Sequence, residues 1–379
     1  MLLTPEVKQL CEEIRRFIRQ EVDPRSRWIE ENDSIPPELV AMAREMGLFG
    51  LTIPEEYGGV GLDLAGKCAV EEEFGHTNYG FATLIGNHTG ISTAGIVALG
   101  NEAQKRKYLP RMASGEWIGA FALTEPQAGS DPAALRASAV KRGGRWVLNG
   151  EKIYITNAGA AQVFTVMAVT DRAQGIKGIS AFIVERGFPG FSIGRNELKM
   201  GMHGSSTAPL AFTDCEVPEE NLLGPEGMGY VQALKTLTAG RVTLSARCLG
   251  MMDKLIEKCI DYAKVREQGG RHIADYQGIQ WMLADMAVAR DASRLMVYRA
   301  IDTLTRGERG TLEASTAKLF ATEALARVVD CAVQIHGGMG YMREAGIETM
   351  YRDARITRIY EGTSEIQRNI IARELLKEN

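Results

Sequence analysis

Arg145-Trp146-Val147-Leu148-Asn149-Gly150-Glu151-Lys152-Ile153-Tyr154-Ile155-Thr156 is the stretch whose reading settles the fold class. Two short alternating or β-branched runs, Arg145 to Leu148 and Lys152 to Thr156, flank Asn149-Gly150, a dipeptide that favours tight turns. Val163 to Thr170 and Ile179 to Val184 continue the pattern, and Gly143-Gly144 supplies a further turn. Such spacing predicts a small antiparallel barrel or sandwich. Helical periodicity lies on either side of it. Upstream, Thr4-Pro5-Glu6 reads as an N-cap, a proline at the first helical position and an acidic first turn, with Val7, Leu10, Cys11, Ile14, Phe17 and Ile18 on one face. Turn clusters at Ile35-Pro36-Pro37 and Tyr57-Gly58-Gly59-Val60-Gly61 interrupt this helical region. Downstream of Gly224-Pro225-Glu226-Gly227, residues Leu249, Met252, Leu255, Ile256, Cys259, Ile260 and Ala263 form one apolar stripe. The expected architecture is α+β and multidomain: an N-terminal all-helical domain (1–118), a middle antiparallel β-barrel (119–227) and a C-terminal helix bundle (228–379).

Composition excludes several classes. The chain of 379 residues is longer than one hydrophobic core usually supports, so two or three packed domains are expected. Lys plus Arg number 44 against 48 Asp plus Glu, which leaves no chain-wide field for nucleic acid. The six cysteines show no CxxC pair and read as buried free thiols of a reducing compartment. The five histidines show neither HExxH nor HxxxH spacing, and no metal is expected. No stretch approaches the roughly 20 apolar residues of a membrane-spanning helix. The amphipathic start reads as folded helix, not as a targeting peptide, so a cytoplasmic protein is expected, or a mitochondrial-matrix one if the chain is a mature eukaryotic form.

The chain has no P-loop, no GxSxG elbow and no complete GxGxxG fingerprint, since Gly337, Gly338 and Gly340 fail the last position. Three loops remain that suit a phosphate-bearing aromatic cofactor. Phe121 to Asp131 (FALTEPQAGSD) ends an apolar strand in small hydroxyl residues and glycine, which allow close backbone approach. Lys152 to Asn157 (KIYITN) alternates so that Tyr154 and Thr156 share a face. Gln334 to Tyr341 (QIHGGMGY) follows a helical stretch. A fourth segment, Tyr360 to Arg368 (YEGTSEIQR), contains Ser364 and Gln367 at capping-box spacing, so a last helix begins there with Glu361 in the loop before it, near a positive helix end. The plainer alternative is a solvated glutamate pairing with Arg358 or Arg368.

Together the strings LTEPxAGSD (123–131), NGEKxYITN (149–157), QIHGGxGY (334–341) and YEGTS (360–364) resemble those of acyl-CoA dehydrogenases, in order and spacing across nearly the whole chain. The resemblance implies the same helix, barrel, helix order, a homotetramer and bound FAD. It implies that Glu361 is the base that takes the α proton of an acyl-CoA while flavin N5 takes a hydride from the β carbon, and that the Glu361 N–H bonds the thioester oxygen. Leu123, Thr124, Gly129, Ser130, Tyr154, Ile155 and Thr156 match positions around the flavin, with Tyr154 packed on the ring and Thr156 bonding near N5. Arg266, Gln277, Gln334, Ile335, His336, Gly337 and Gly338 match residues that reach a neighbouring subunit's FAD, and Thr363 and Glu365 match contacts to its adenosine half. Ser130, Thr238, Arg241 and Gly362 match the acyl-CoA channel. The implied electron acceptor is electron-transferring flavoprotein.

The chain departs from the family pattern at Gly269, usually phenylalanine, at His272, usually proline, at Thr238, commonly aspartate, and at His203, frequently arginine. A rival base position on the helix containing Gly240 is closed, because glycine carries no carboxylate. Decarboxylating relatives use an arginine at the far end of the acyl pocket. The stretch Asn78 to Ser92 has neither Lys nor Arg, with His76 and His88 the nearest possible cations, so a monocarboxylic acyl group is expected. The same scaffold also serves enoyl-CoA reductases, acyl-CoA oxidases and non-catalytic flavin-binding modules. A free glutamate, with pKa near 4.3, is too weak a base for an α C–H; burial raises its pKa and donors on the thioester oxygen stabilise the developing charge.

Overall fold

The computed structural model describes residues 3–377. The outermost residues of the first and last expected domains, 1–2 and 378–379, lie outside the described residues. Among these described residues seven α-helices come first: α1 (Pro5–Phe17), α2 (Ser26–Asn32), α3 (Pro37–Glu45), α4 (Leu64–Phe74), α5 (Tyr79–Asn87), α6 (Thr93–Leu99) and α7 (Glu102–Ala113). The α1 start is the one read from sequence: the Thr4 side chain accepts from the Val7 N–H at 3.4 Å, and Cys11, Ile14 and Phe17 are buried. Val7 and Leu10 pack against the same core, which also holds Phe49, Phe74 and Phe81.

The middle layer contains β1 (Gly119–Ala122), β2 (Ser138–Arg142), β3 (Arg145–Thr156), β4 (Val163–Val169), β5 (Ile179–Glu185), β6 (Phe191–Ile193), β7 (Thr207–Pro218) and β8 (Leu222–Leu223). They form one sheet in the order β6-β7-β3-β2-β4-β5-β8, with β1 added against β4. Most pairings are the antiparallel ones expected. β1 runs parallel to β4, and β2 meets β4 in parallel at Ser138–Val169, so the sheet is mixed. Parallel pairs need a crossover, and the long connections from β1 through β2 and β3 to β4 provide one.

Asn149-Gly150 is not a turn. It lies inside the single twelve-residue strand β3, at a register shift against β7 between Leu148 and Gly150. The extra residue is on β7, where Thr213 and Asp214 (φ 47°) bulge opposite Asn149, and Gly150 sits at φ 137°, where a Cβ would lie 2.7 Å from Ala137 Cα. The Asn149 side chain holds the bulge from across the sheet, donating to Asp214 Oδ1 at 3.1 Å and accepting the Asp214 N–H at 2.8 Å. Long opposing strands therefore overrode a local turn preference.

Six helices follow: α8 (Gly229–Val265), α9 (Gln277–Thr305), α10 (Thr311–His336), α11 (Gly338–Tyr341), α12 (Ile347–Arg355) and α13 (Ser364–Leu375). The expected α8 stripe is buried at Leu249, Met252, Leu255, Ile256, Cys259 and Ala263, with Ile260 packed against it. Beyond that stripe α8 is buried almost all round between Gly240 and Met252, because α4, α9 and α10 all pack on it. At Gly250 a Cβ would lie 1.8 Å from the Glu72 carbonyl oxygen, so α4 and α8 cross in backbone contact. No helix among the described residues is long and apolar enough to cross a membrane.

Candidate active site

A cavity of about 1170 Å³ opens where α5, β1, β3, α8 and the loop before α13 converge. It gathers Leu123, Thr124, Gly129, Ser130, Tyr154, Ile155 and Thr156 with Thr238, Arg241, Glu361 and Gly362. Three segments and helix α8, from 123 to 362 in the chain, thus face one space. Arg266, Gln277, Gln334, Ile335, His336, Gly337, Gly338, Thr363 and Glu365 do not line it. Arg266 ends α8 and Gln277 begins α9. Gln334, Ile335 and His336 are the last turn of α10, Gly337 and Gly338 follow it, and the His336 ring stacks on Tyr262 with centroids 4.4 Å apart.

Loop 123–131 is fixed to β3 by a buried ion pair. Lys152 Nζ lies 2.7 Å from Glu125 Oε1 and donates to the Leu123 carbonyl at 3.1 Å. Burial acts to raise the Glu125 pKa, but the Lys152 ammonium and the N–H groups of Arg136 and Ala137 hold it below the ordinary carboxylate value. Burial lowers Lys152 to about 8 against the pull of Glu125. The Ile153 N–H leaves the β7 ladder and donates to Thr124 O at 3.0 Å, producing a second bulge between Lys152 and Ile155. That bulge breaks the simple alternation expected for Lys152 to Thr156. Ile155 turns into the sheet core, whereas Tyr154, at φ 56°, projects with 64% of its surface exposed. A positive φ at a bulky non-glycine residue costs on the order of 1–3 kcal/mol and persists where its surroundings enforce it.

These features suit a flavin. The Tyr154 ring is free of core packing, and the hydroxyls of Thr124, Ser130 and Thr156 have no protein hydrogen bond among the described residues. A Cβ at Gly129 would meet no protein atom, so bare backbone there faces open space. Thr238 differs: its hydroxyl donates back to Leu234 O at 2.8 Å.

Glu361 occupies the turn before α13 with φ 55°. The helix N-cap is Thr363, whose side chain accepts the Ile366 N–H at 3.3 Å, and not the expected Ser364 box. Ser364 instead donates to Glu323 Oε1 at 2.6 Å, and the Gln367 amide reaches back to Glu361 O at 3.2 Å and Gly362 O at 3.0 Å. Arg241 Nε also donates to Glu361 O at 3.1 Å, and the buried Lys318 Nζ donates to Gly362 O at 2.8 Å. Three side chains from α8, α10 and α13 thus hold two consecutive carbonyls, which fixes the Glu361 backbone and leaves its N–H without a protein acceptor among the described residues. The residue is half-buried as a whole, yet its Oε2 is enclosed and without a hydrogen-bond partner. Arg358 pairs with Glu323 instead, and among the described residues no ion pair joins Glu361 to Arg368, so neither partner of the plainer alternative is engaged. Burial raises Glu361 to about 7, opposed by Lys318, Arg241 and Arg247. A Cβ at Gly240 would lie 2.6 Å from Glu361 Oε2, so the glycine that closed the rival base position also gives this carboxylate its room.

Sequence reasoning missed Lys318, Gln367 and the Glu125–Lys152 pair as positioning groups. Lys318 carried a signal, a lone charge among Ala314, Ala317 and Ala321 on the buried side of α10. The histidines considered as cations are not such. His88 is buried, its Nδ1 accepts the Gly119 N–H at 2.9 Å, its Nε2 faces Met112 O at 3.0 Å, and burial lowers it to about 4. Burial lowers His76 as well.

A helix, sheet, helix order with a cavity built for a flavin beside an enclosed carboxylate defines a class of acyl-thioester oxidoreductase, and comparison with known proteins agrees. The family descriptions "Acyl-CoA dehydrogenase, N-terminal domain", "middle domain" and "C-terminal domain" match residues 4–116, 120–215 and 227–376. The chain belongs to the acyl-CoA dehydrogenase family, a family of oxidoreductases whose cofactor is FAD. It is 45% identical over 376 residues to an acyl-CoA dehydrogenase of Bacillus subtilis, covering 99% of each chain. Butyryl-CoA dehydrogenase from Megasphaera elsdenii superposes with TM-score 0.95 at 37% identity over 100% of both chains. A structure described as the electron transferring flavoprotein of Acidaminococcus fermentans, in work on electron bifurcation, gives TM-score 0.96 at 40% identity, again over 100% of both chains.

Proposed function

We propose that the protein converts an acyl-CoA thioester to the trans-2-enoyl-CoA, with Glu361 as the catalytic base. The observation that carries this reading is the Glu361 carboxylate: enclosed, unpaired at Oε2, raised to about 7, and facing the cavity that holds the flavin-type loops. A carboxylate with pKa near working pH is a stronger base than a free glutamate while about half of it remains ionised. FAD, when bound, supplies the acceptor for the hydride that leaves the β carbon.

Everything else is positioning. Leu123, Thr124, Gly129, Ser130, Tyr154, Ile155 and Thr156 hold the flavin, with the Tyr154 ring as a packing surface and the three hydroxyls as hydrogen-bond donors. Arg241 and Gly362 line the thioester end with Ser130 and Thr238, and the free Glu361 N–H donates to the thioester oxygen, where fixed donors lower the barrier most. Thr363 and Glu365 serve the adenosine half of FAD. Arg266, Gln277, Gln334, Ile335, His336, Gly337 and Gly338 lie away from this chain's cavity, which suits a role toward a neighbouring subunit's FAD in a homotetramer. Electron-transferring flavoprotein is the acceptor in this reading, an assignment supported by the description of the Acidaminococcus neighbour.

The test is a panel of acyl-CoA esters mixed anaerobically with the FAD-loaded protein while flavin absorbance is followed. Bleaching by a saturated acyl-CoA with formation of the enoyl-CoA is expected. No bleaching by any ester, or rapid reoxidation of the reduced protein by oxygen, overturns the dehydrogenase assignment.

A further inference from the structure

Behind the Glu361 site lies a buried ionic cluster whose members accept and donate no proton in the proposed reaction. Glu71 on α4 takes Lys67 Nζ at 2.7 Å on Oε1, and on Oε2 takes Arg247 Nε and Nη2 at 2.7 and 2.5 Å. Lys67 also donates to Thr89, and Arg247 Nη1 donates to Thr83 Oγ1 at 3.1 Å. All three charged side chains are nearly inaccessible. Two cations therefore face one carboxylate.

This cluster adjoins the catalytic cavity. Arg247, Thr83, Gly86, Asn87 and Tyr360 line the same cavity as Gly240 and Glu361. Arg247 follows Gly240 by seven residues on α8, two turns or about 10 Å along the axis, and helical side chains lean back toward the N-terminus, here toward Glu361. The guanidinium is wedged in place: a Cβ at Gly86 would lie 1.8 Å from its Nη2, the Tyr79 ring lies 5.4 Å from its carbon, and Tyr79 Oη is 3.5 Å from Tyr360 Oη. Of the five donors on a guanidinium, Glu71 and Thr83 engage one on each nitrogen and leave two. The cation that the Asn78 to Ser92 stretch lacks is thus delivered by another helix. An apolar chain end pressed against these donors strips them of water without replacement, whereas an oxygen acceptor satisfies them.

We infer that Arg247 is a specificity-determining residue that closes the acyl end of the cavity and selects a short acyl thioester carrying an oxygen acceptor, above all a carboxylate, at its far end. This rests on the dehydrogenase reading and deepens it. Arg247 is also one of the cations that oppose the upward shift of Glu361, so its role in selection is read from the ratio between esters, in which a change in base strength cancels. Sites built to hydrogen-bond a substrate group reject analogues lacking it by large factors, so at least about a tenfold preference is expected.

The experiment compares flavin reduction by glutaryl-CoA (carboxylate end), 5-hydroxyvaleryl-CoA (neutral oxygen end), valeryl-CoA and octanoyl-CoA in wild type and Arg247→Met. This variant leaves Lys67 and Glu71 as a one-to-one pair, so the fold is retained. In wild type kcat/KM for an oxygen-ended ester exceeds that of valeryl-CoA at least tenfold, and the better of the two arms identifies the end group. Arg247→Met abolishes that ratio and gains octanoyl-CoA turnover. Equal or better use of valeryl-CoA by wild type, or a ratio unchanged in the variant, overturns the inference while leaving the dehydrogenase reading intact. Failure of every ester to bleach the flavin sinks both. If Arg247→Met does not yield flavin-loaded protein, Arg247→Gln is measured in its place, and the wild-type preference decides independently.

Discussion

Glu361→Gln keeps the side chain's size and removes its capacity to accept a proton. The carbonyls of residues 361 and 362 keep their bonds to Arg241, Lys318 and Gln367, so the loop and the N–H it presents stay in place. General bases contribute about 10² to 10⁴-fold, and flavin reduction by a good acyl-CoA should slow by at least that range with FAD content unchanged. The pH dependence adds a second signature. Only the ionised carboxylate is active, and a group titrating at about 7 is ionised to roughly 9% at pH 6 and roughly 91% at pH 8. The wild-type reduction rate should therefore rise about tenfold across that interval, and the variant's residual rate should lose this rise. Anaerobic stopped-flow bleaching at several pH values measures both, with the absorption spectrum reporting flavin occupancy. A flavin-loaded Glu361→Gln protein that reduces within a few-fold of wild type would falsify the assignment, since that is the size expected of a solvated ion pair.

Other substitutions test the surroundings of that carboxylate. Gly240→Ala inserts a methyl 2.6 Å from Glu361 Oε2 and 3.0 Å from Ile91 Cγ2, so it should displace the base and slow reduction by about 10²-fold with flavin retained; an unimpaired rate shows that the carboxylate works from elsewhere. Lys318→Met removes the cation that most opposes the upward shift of Glu361, so the rising limb of the rate against pH should move to higher pH, and an unmoved midpoint refutes the coupling. Lys152→Met leaves Glu125 buried without its ammonium, which should destabilise the fold by about 3–5 kcal/mol and loosen flavin binding; wild-type denaturation and flavin content would show that the pair does not secure the 123–131 loop.

The order of helical, β and helical regions was legible in the sequence because hydrophobic period is a local property. The α1 cap, the α8 stripe and the strands β4 and β5 stood where period and capping residues put them. Three of the four segments, 123–131, 152–157 and 360–368, meet at the cavity, and Glu361 was nominated once their joint pattern was read. What failed were inferences from a few residues whose outcome depended on partners far away. Asn149-Gly150 continued the strand instead of turning because β7 runs past it, bulging at Asp214, which grips Asn149. Ser364 lost the cap to Thr363 because Glu323 on α10 takes its hydroxyl. Glu361 could be named from sequence, but its working pKa could not. Burial and the cations at 241, 247 and 318 set that value, and they meet only when α8 and α10 pack against the last loop. The polar far end of the cavity is of the same kind. Arg247 and Glu71 are 176 residues apart in sequence and become partners because α4 and α8 cross in backbone contact at Gly250. Sequence by itself determined the order of the elements, since that depends on local pattern, and nominated Glu361 only through the resemblance of four motifs taken together; tertiary structure decided charge state, orientation and cavity shape, because electrostatics and excluded volume act through space between residues the chain order does not relate.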